Sequence, residues 1–149
     1  MIVLSQEKQI KKLHTKKYRE QLSLCLVEGR KSITTAGYAI AYTFSRDDTK
    51  NFDQLVTTEA PQGLAGVART PGWNLDDVGQ KPTIVVLDGV QDPGNVGSIL
   101  RLCLAFNASL VLINSVDVTN PKVIRSSAGA MFQVPWLQVK KDKASKLIA

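Results

Sequence analysis

The sequence predicts an α/β protein in two parts, a small N-terminal α/β domain followed by a domain built on a parallel sheet. Two apolar, β-branched runs, residues 83–87 and 110–113, are typical of parallel strands buried on both faces. A helical pattern separates them, as a crossover between parallel strands requires. A stretch rich in Pro, Gly, Asn and Asp, residues 71–81, predicts a linker between domains of residues 1–70 and 82–149.

The N-terminal domain is predicted to mix short helices and strands. Ser5 predicts a helix N-cap, and Ile10 and Leu13 give that helix one apolar side. Alternating apolar residues over 22–28 predict the first strand. The following pattern predicts a helix over residues 30–36, a strand over 38–44, a polar turn over 46–51 and a weaker strand over 63–69.

In the second domain, each apolar strand is followed by a helix signal. Residues 96–106 predict a helix with Asn107 as its C-terminal cap. Asn120 as N-cap and Pro121 in the first turn predict a further helix, and residues 134–139 predict a third strand. Three strands make a narrow sheet, and another helix pattern begins near the last residue, so we expect this domain to be incomplete.

The net charge of +6 is concentrated at the two ends of the chain. Residues 1–31 and 101–149 each carry a net +5, whereas residues 32–100 carry −4. Two basic ends favour a polyanionic partner, although solvated lysine faces explain the charge equally well. The two cysteines, Cys25 and Cys103, lie among apolar neighbours and are expected to be reduced core residues. The apolar run at residues 1–4 is too short to span a membrane, so we expect a cytoplasmic protein.

The most informative segment follows the first strand of the parallel sheet. It begins at Asp88, holds Gly89, Gly94 and Gly97, and leads into a helix that carries Arg101. Loops at the carboxyl ends of parallel strands are where α/β folds place ligands, and a guanidinium beside such a turn suits phosphate. The alternatives are glycines that serve packing and an arginine that is simply solvated. The glycine spacing does not match the dinucleotide-binding fingerprint.

Residues 87–106, LDGVQDPGNVGSILRLCLAF, resemble the first motif of the SpoU (TrmH-like) branch of the SPOUT methyltransferases. That motif reads N-x-G-x-x-x-R, here Asn95, Gly97 and Arg101. Residues 120–130, NPKVIRSSAGA, resemble a later segment of the same family. Upstream, the sequence is similar to the small ribosomal-protein-like RNA-binding domain of these enzymes in residues 16–19, 26–31 and 61–63.

The resemblance implies transfer of a methyl group from S-adenosylmethionine to a ribose 2′-hydroxyl of ribosomal or transfer RNA by a homodimer with a knotted C-terminal region. It implies Arg101 as catalytic arginine and Asn95 as its partner. Other basic residues are expected to contact RNA: Lys16, Lys17, Arg19, Arg30, Lys31, Lys122 and Arg125. No His, Cys and Asp cluster has metal-ligand spacing, so no metal is expected, and His14 is expected to be solvated.

The sequence departs from the family after Pro135, where nothing resembles the G-x-E-x-G and S-L-N motifs that hold the cofactor. We therefore expect the knot region to be absent from residues 1–149 and leave the cofactor-binding residues unassigned. Two hypotheses follow: the N-terminal portion of an RNA 2′-O-methyltransferase, or a non-catalytic RNA-binding module derived from one. Ser126 and Ser127 fit either site or packing, and Trp73 and Trp136 are expected to pack rather than to stack on bases.

Overall fold

The computed structural model describes the backbone of residues 1–148 and the side chains of residues 1–146. The helices are α1 (Leu4–Lys12), α2 (Lys16–Leu22), α3 (Arg30–Ala36), α4 (Phe52–Leu55), α5 (Leu75–Gly79), α6 (Pro93–Ala105), α7 (Pro121–Ser126) and α8 (Lys141–Ile148). The strands are β1 (Leu24–Glu28), β2 (Ile40–Ser45), β3 (Leu64–Arg69), β4 (Thr83–Asp88), β5 (Ala108–Ile113) and β6 (Trp136–Val139). None of the helices described is long and apolar enough to cross a membrane.

The first three strands form an antiparallel sheet in the order β1-β3-β2. Strand β3 is central, and its Gly66 lies opposite Val27 on one side and Thr43 on the other. Helices α1 and α4 cover one face, where Phe44 and Phe52 pack with their ring centroids 5.6 Å apart. This sheet gives the N-terminal part its own small apolar core.

The last three strands form a parallel sheet in the order β4-β5-β6, which confirms the predicted α/β fold class. Strand β5 is central and buried along its whole length. The side chains of Leu110 and Leu112 lie on the sheet face that α6 and α7 cover. Those of Val111 and Ile113 lie on the opposite face, which α5 and α8 cover. Burial on both faces explains why this strand reads as an unbroken apolar run.

The two sheets share one hydrophobic core. Cys25, Val27 and Ala68 of the antiparallel sheet belong to the same buried cluster as Leu110 and Met131. The short 3₁₀ turn Ala130–Phe132 and helix α7 lie between the two sheets. The N-terminal part is therefore packed against the parallel-sheet part rather than only tethered to it.

Residues 71–81, predicted as a linker, contain helix α5. Asn74 caps this helix by accepting a hydrogen bond from the Asp77 N–H (2.9 Å), and Asp77 bonds back to the Asn74 N–H. Val78 is buried against the sheet, and its carbonyl accepts a hydrogen bond from Ser109 Oγ (2.8 Å). The placement of the domain boundaries stays a prediction, but this segment is ordered and packed.

Several predicted element boundaries are wrong for local reasons. The first helix begins at Leu4 with Val3 as N-cap, not Ser5. Leu22 ends helix α2 instead of opening a strand. Helix α6 starts at Pro93 because Asp92 accepts a hydrogen bond from the Gly94 N–H (3.0 Å) and caps it. The segment predicted as a strand from residue 38 starts as the 3₁₀ turn Gly37–Ala39, and helix α4 was not predicted.

Candidate active site and nucleic-acid interface

The loop after β4 makes a sharp turn at the carboxyl edge of the parallel sheet. Gly89 has φ +72°, a left-handed conformation that side chains disfavour, and its N–H donates to the Ile113 carbonyl (2.9 Å). The chain then enters α6 through the Asp92 cap and Pro93 in the first turn. This geometry points the exposed N-terminal end of α6 at the edge where α/β proteins place ligands.

Asn95 and Arg101 both lie on α6 with solvent-exposed side chains. Neither side chain makes a hydrogen bond or an ion pair with the residues that the structure describes. They lie six positions apart, or about 9 Å along the helix axis. Side chains on a helix lean toward its N-terminus, so the Arg101 side chain extends back along α6 toward the turn that holds Gly97. The fold leaves both groups available for a ligand.

Gly97 has a packing role, which is one of the two alternatives that the sequence leaves open. A Cβ at this position would lie 1.9 Å from Ser126 Oγ and 2.7 Å from the Ser126 carbonyl carbon. Gly97 is buried at the crossing of α6 and α7, so it allows two helices, rather than a ligand, to approach closely. By contrast, a Cβ at Gly94 would meet only the Asp92 carboxylate, at 3.5 Å.

Ser126 and Ser127 are structural. Ser126 Oγ lies within hydrogen-bond distance of the Pro93 carbonyl (2.9 Å) and the Val123 carbonyl (3.2 Å). Its hydroxyl thereby ties α7 to the first turn of α6, directly before Asn95. Ser127 is buried and donates to the Ile124 carbonyl (2.9 Å). These contacts resolve the open choice in favour of packing.

The predicted RNA-contacting residues fall into two groups. Five of them have exposed side chains: Lys16 and Lys17 on α2, Arg30 and Lys31 in the first turn of α3, and Lys122 on α7. The two remaining arginines, Arg19 and Arg125, are engaged in ion pairs that join the two sheets. The solvent exposure of the side chains separates the two groups, and the sequence alone does not show it.

Arg19 is a buried structural residue, which corrects its assignment to RNA contact. Only 5% of its side chain is exposed. Its guanidinium donates to Asp117 Oδ2 (2.7 Å), Thr119 Oγ1 (3.0 Å) and the Leu13 carbonyl (3.0 Å). These bonds satisfy most of its donors and fix α2 to the loop after β5, so it has no free face for a phosphate.

Arg125 also makes a structural ion pair, but part of its side chain remains exposed. Its Nη1 donates to Glu28 Oε2 (2.7 Å), and Glu28 is buried with its carboxylate bonded in addition to Thr57. The Arg125 side chain is 37% exposed and, with Lys31, lines a cavity of about 210 Å³ between α3 and α7. Sequence reasoning missed Glu28, whose signal was an acid at the end of an otherwise apolar strand.

Of the remaining polar candidates, His14 differs from expectation and Trp136 agrees with it. His14 is not merely solvated, because its Nε2 lies 2.7 Å from the Leu55 carbonyl. Trp136 Nε1 donates to the Met131 carbonyl (3.0 Å), which agrees with the predicted packing role. Trp73 is half-buried, and its indole nitrogen has no hydrogen-bond partner among the described residues. In residues 1–146, no group of three His, Cys, Asp or Glu side chains could hold a metal.

The two loops at the carboxyl edge of the parallel sheet are bonded to each other. The hydrogen bonds run from Val90 N–H to Ser115 Oγ (3.1 Å), from Gln91 Nε2 to the Asn114 carbonyl (2.6 Å) and from Val116 N–H to the Val90 carbonyl (2.9 Å). These bonds fix the shape of the edge, and the cofactor-binding residues stay unassigned.

Comparison with known proteins places these features in a family context. Residues 82–147 match the model of the SpoU rRNA Methylase family. The chain is 29% identical over 147 residues to the 23S rRNA (guanosine(2553)-2′-O)-methyltransferase RlmP of Bacillus subtilis, covering 84% of this chain and 58% of that protein. It is 32% identical over 156 residues to rRNA methyltransferase 3, mitochondrial, of Mus musculus, covering 79% of this chain and 36% of that protein. The chain thus spans little more than half of the first relative and about a third of the second.

Solved structures show the same fold. The AdoMet-bound rRNA methyltransferase from Sinorhizobium meliloti superposes with a TM-score of 0.82 at 23% identity, over 99% of this chain and 67% of that one. The SpoU methyltransferase AviRb from Streptomyces viridochromogenes, in complex with AdoMet, superposes with a TM-score of 0.77 at 23% identity, over 97% of this chain and 66% of that one.

Proposed function

Since this chain belongs to the SpoU rRNA methylase family, we propose that it serves in the S-adenosylmethionine-dependent methylation of a ribose 2′-hydroxyl in ribosomal or transfer RNA. The observation that carries the proposal is that the side chains of Asn95 and Arg101 are exposed and unbonded. Asn95 lies in the first turn of α6 and Arg101 six positions further along it; both side chains are exposed, and neither makes a hydrogen bond with the described residues. Polar residues without a structural role at a ligand-binding edge are available for chemistry.

Arg101 acts on the RNA side of the reaction. An arginine stays positively charged at physiological pH, so it is a poor proton acceptor and a good partner for anions. Its guanidinium would hold the phosphate next to the target ribose and stabilise negative charge that develops on the 2′-oxygen. Holding the ribose in one orientation also lowers the entropic part of the barrier.

Asn95 would complete the positioning of the ribose. Its side-chain amide provides both a donor and an acceptor in the first turn of α6. The Ser126–Pro93 hydrogen bond and the close contact at Gly97 hold this turn against α7. Bound S-adenosylmethionine would supply the methyl group, and the residues that hold it stay unassigned.

Methyl transfer by the whole protein tests the role of Arg101. Arg101→Ala should abolish incorporation of tritiated methyl groups from S-adenosylmethionine into RNA, while cofactor affinity measured by calorimetry stays unchanged. Ser98→Ala, an exposed position on the same helix, is the matched control and should keep full activity. Turnover of Arg101→Ala at the rate of the unchanged protein would remove Arg101 from the mechanism.

The five exposed basic side chains on α2, α3 and α7 are the proposed electrostatic contact with the RNA backbone. Each phosphate contact makes the logarithm of the binding constant fall with the logarithm of salt concentration, by about 0.7 to 0.9 per contact. Replacing Lys16 and Lys17 together with Ala should reduce that slope by between one and two. An unchanged slope would exclude α2 from the RNA contact.

A non-catalytic RNA-binding module is the second candidate. It is favoured by one observation, the mutual hydrogen bonding of the two carboxyl-edge loops, which leaves few groups for a cofactor. In that case residues 1–149 bind structured RNA and give no heat on titration with S-adenosylmethionine. Saturable binding of the cofactor by this chain would exclude the module.

We also propose self-association and a cytoplasmic site of action. The exposed apolar side chains of Leu102 and Phe106 lie one turn apart at the C-terminal end of α6, which is the kind of surface that a second copy covers. Sedimentation equilibrium should give a dimer mass that Phe106→Ser lowers, and a monomer at all concentrations would contradict dimerisation. The similarity to a bacterial rRNA methyltransferase supports the cytoplasm, which cell fractionation would test.

A further inference from the structure

A large groove opens on the side of the molecule away from Asn95. It has a volume of about 700 Å³ and runs between the turn Gly37–Ala39 and the stretch from Arg69 to Trp73. Trp73 also lines a neighbouring hollow beside Lys81, Asn107 and Pro135. These three residues lie at or just before the starts of β4, β5 and β6, so the groove is at the amino edge of the parallel sheet.

Two aromatic side chains of the groove are available to a ligand. The side chain of Tyr38 is fully exposed on a 3₁₀ turn, where it contributes nothing to the core. Trp73 lines the opposite wall and lies outside the hydrophobic clusters. A tyrosine ring is large and mostly apolar, so full exposure to solvent is unusual. Stacking on a flat ligand would account for this exposure.

The indole N–H of Trp73 is shielded from solvent but donates to no acceptor among the described residues. Shielded polar groups almost always have a partner, so a missing partner calls for an acceptor supplied from outside. The other tryptophan differs on this point, because Trp136 donates to the Met131 carbonyl.

The charges of the groove favour an anionic ligand. Arg69 is exposed at the end of β3 and makes no ion pair in the described part of the chain. The one acid on the wall, Asp77, is held by the Asn74 N–H in the cap of α5, so it does not pair with Arg69 and leaves the guanidinium available to a phosphate. A guanidinium next to two aromatic rings matches the phosphate and base of a nucleotide.

From these observations we propose that the groove binds an unpaired nucleotide of the RNA, with its base against Tyr38 and Trp73 and its phosphate on Arg69. This inference rests on the proposed function, since it takes RNA as the partner. Strands of six residues place the groove about 20 Å from the carboxyl edge that carries Asn95. The groove is therefore a recognition site for RNA at a distance from the reacting ribose, and it selects for a single-stranded segment.

Fluorescence of Trp73 tests the proposal directly. The sequence has two tryptophans, so Trp136→Phe leaves Trp73 as the only indole. Titration with a single-stranded RNA octamer should quench this fluorescence to saturation, and a duplex of the same length should not. Loss of stacking should weaken octamer binding about fivefold or more in Tyr38→Ala and in Trp73→Ala, measured by the anisotropy of labelled RNA.

Two controls separate stacking from general damage. Tyr38→Phe keeps the ring and should bind the octamer like the unchanged chain, and so should Leu75→Ala, an exposed apolar position two residues from Trp73. Because Tyr38 contacts no core residue, Tyr38→Ala carries the test even if Trp73→Ala does not fold. Unchanged octamer affinity of Tyr38→Ala, or equal quenching by duplex, overturns the proposal. An active Arg101→Ala would instead contradict the catalytic assignment and leave octamer binding in the groove intact.

Discussion

At the level of single residues, basic side chains that look alike in sequence have different surroundings. Lys16 and Arg19 lie in one short helix, three positions apart, yet Lys16 faces solvent and Arg19 is buried. The difference follows from what each position faces, since one side of α2 lies on Asp117 and Thr119 of the parallel-sheet part. Charge counts along a sequence therefore overstate the basic surface that RNA can use.

Arg19→Ala should destabilise the protein by about 3 kcal/mol, because it leaves the Asp117 carboxylate without its buried partner. Lys16→Ala is the matched control on the same helix. Its only ion pair, with Glu20, is exposed and should change stability by less than about 0.5 kcal/mol. Urea unfolding followed by circular dichroism measures both, and equal stability of the two variants would show that Arg19 is not a structural residue.

Gly97→Ala should destabilise the fold by about 2 kcal/mol or more, since the new methyl group would collide with Ser126 at the crossing of α6 and α7. Gly94→Ala, in the same helix, meets only the Asp92 side chain at 3.5 Å and should be neutral. Thermal unfolding of the pair gives the comparison. A harmless Gly97→Ala would mean that the two helices separate easily, contrary to the close contact in the structure.

The thiol of Cys25 should be unreactive in the native protein. Burial raises the pKa of Cys25 to about 12 from an ordinary value near 9. The native state therefore disfavours the thiolate. The contribution of this thiol to the free energy of unfolding is constant below pH 9, and it becomes less favourable as the pH rises from 9 toward 12. At pH 10.5 the loss should be about 2 kcal/mol, and Cys25→Val should lack it. Rapid reaction of native Cys25 with a thiol reagent at pH 8 would contradict this burial.

At the level of elements, the sequence predicts the parallel strands well because burial on both faces makes them continuously apolar. Strand β5 is buried along its whole length and was predicted from residue 110, two residues after its start. Short helices are harder to predict from the sequence. Helix α4 has four residues and is held by the burial of Phe52 and Leu55, a tertiary contact that leaves no periodic pattern to detect.

In the candidate active site, too, some features can be predicted from the sequence and others depend on contacts between elements. The placement of Asn95 and Arg101 on the helix after a buried strand could be predicted from a sequence motif, and the structure puts them on that helix, while their role in the reaction stays a prediction. The sequence could not decide that Gly97 serves packing or that Arg19 is buried, because these outcomes depend on residues 29 and 98 positions away in the chain. Contacts between elements decide which residues of a motif face a ligand.

The ion pair between β1 and α7 yields a prediction at this scale. Arg125→Ala should destabilise the protein by about 1 to 3 kcal/mol, because Glu28 is buried and would keep only its bonds to Thr57. Glu28→Gln in the Arg125→Ala background should recover part of the loss by removing the unpaired charge. The four free energies of unfolding form a double-mutant cycle, and a coupling energy near zero would contradict the pairing.

At the scale of the whole molecule, the connection between the two sheets matters most. Residues of both sheets share one buried cluster, and two ion pairs, Arg19–Asp117 and Arg125–Glu28, join parts of the chain almost 100 positions apart. The N-terminal part thus holds its exposed lysines in a fixed position relative to α6. An RNA that binds both parts meets a surface of set geometry, so recognition at one part positions the nucleotide at the other.

Such a shared core should make the chain unfold in one cooperative step. Opening the antiparallel sheet would expose Cys25, Val27 and Ala68 together with the residues of α7 that cover them, so neither sheet can unfold without removing packing from the other. Scanning calorimetry should give one transition whose calorimetric and van't Hoff enthalpies agree. Hydrogen exchange should give equal free energies of opening for the slowest amides of β3 and β5, the central strands of the two sheets. Earlier exchange of β3 would instead show two independent units, and the lysines of α2 and α3 could then move relative to the candidate active site.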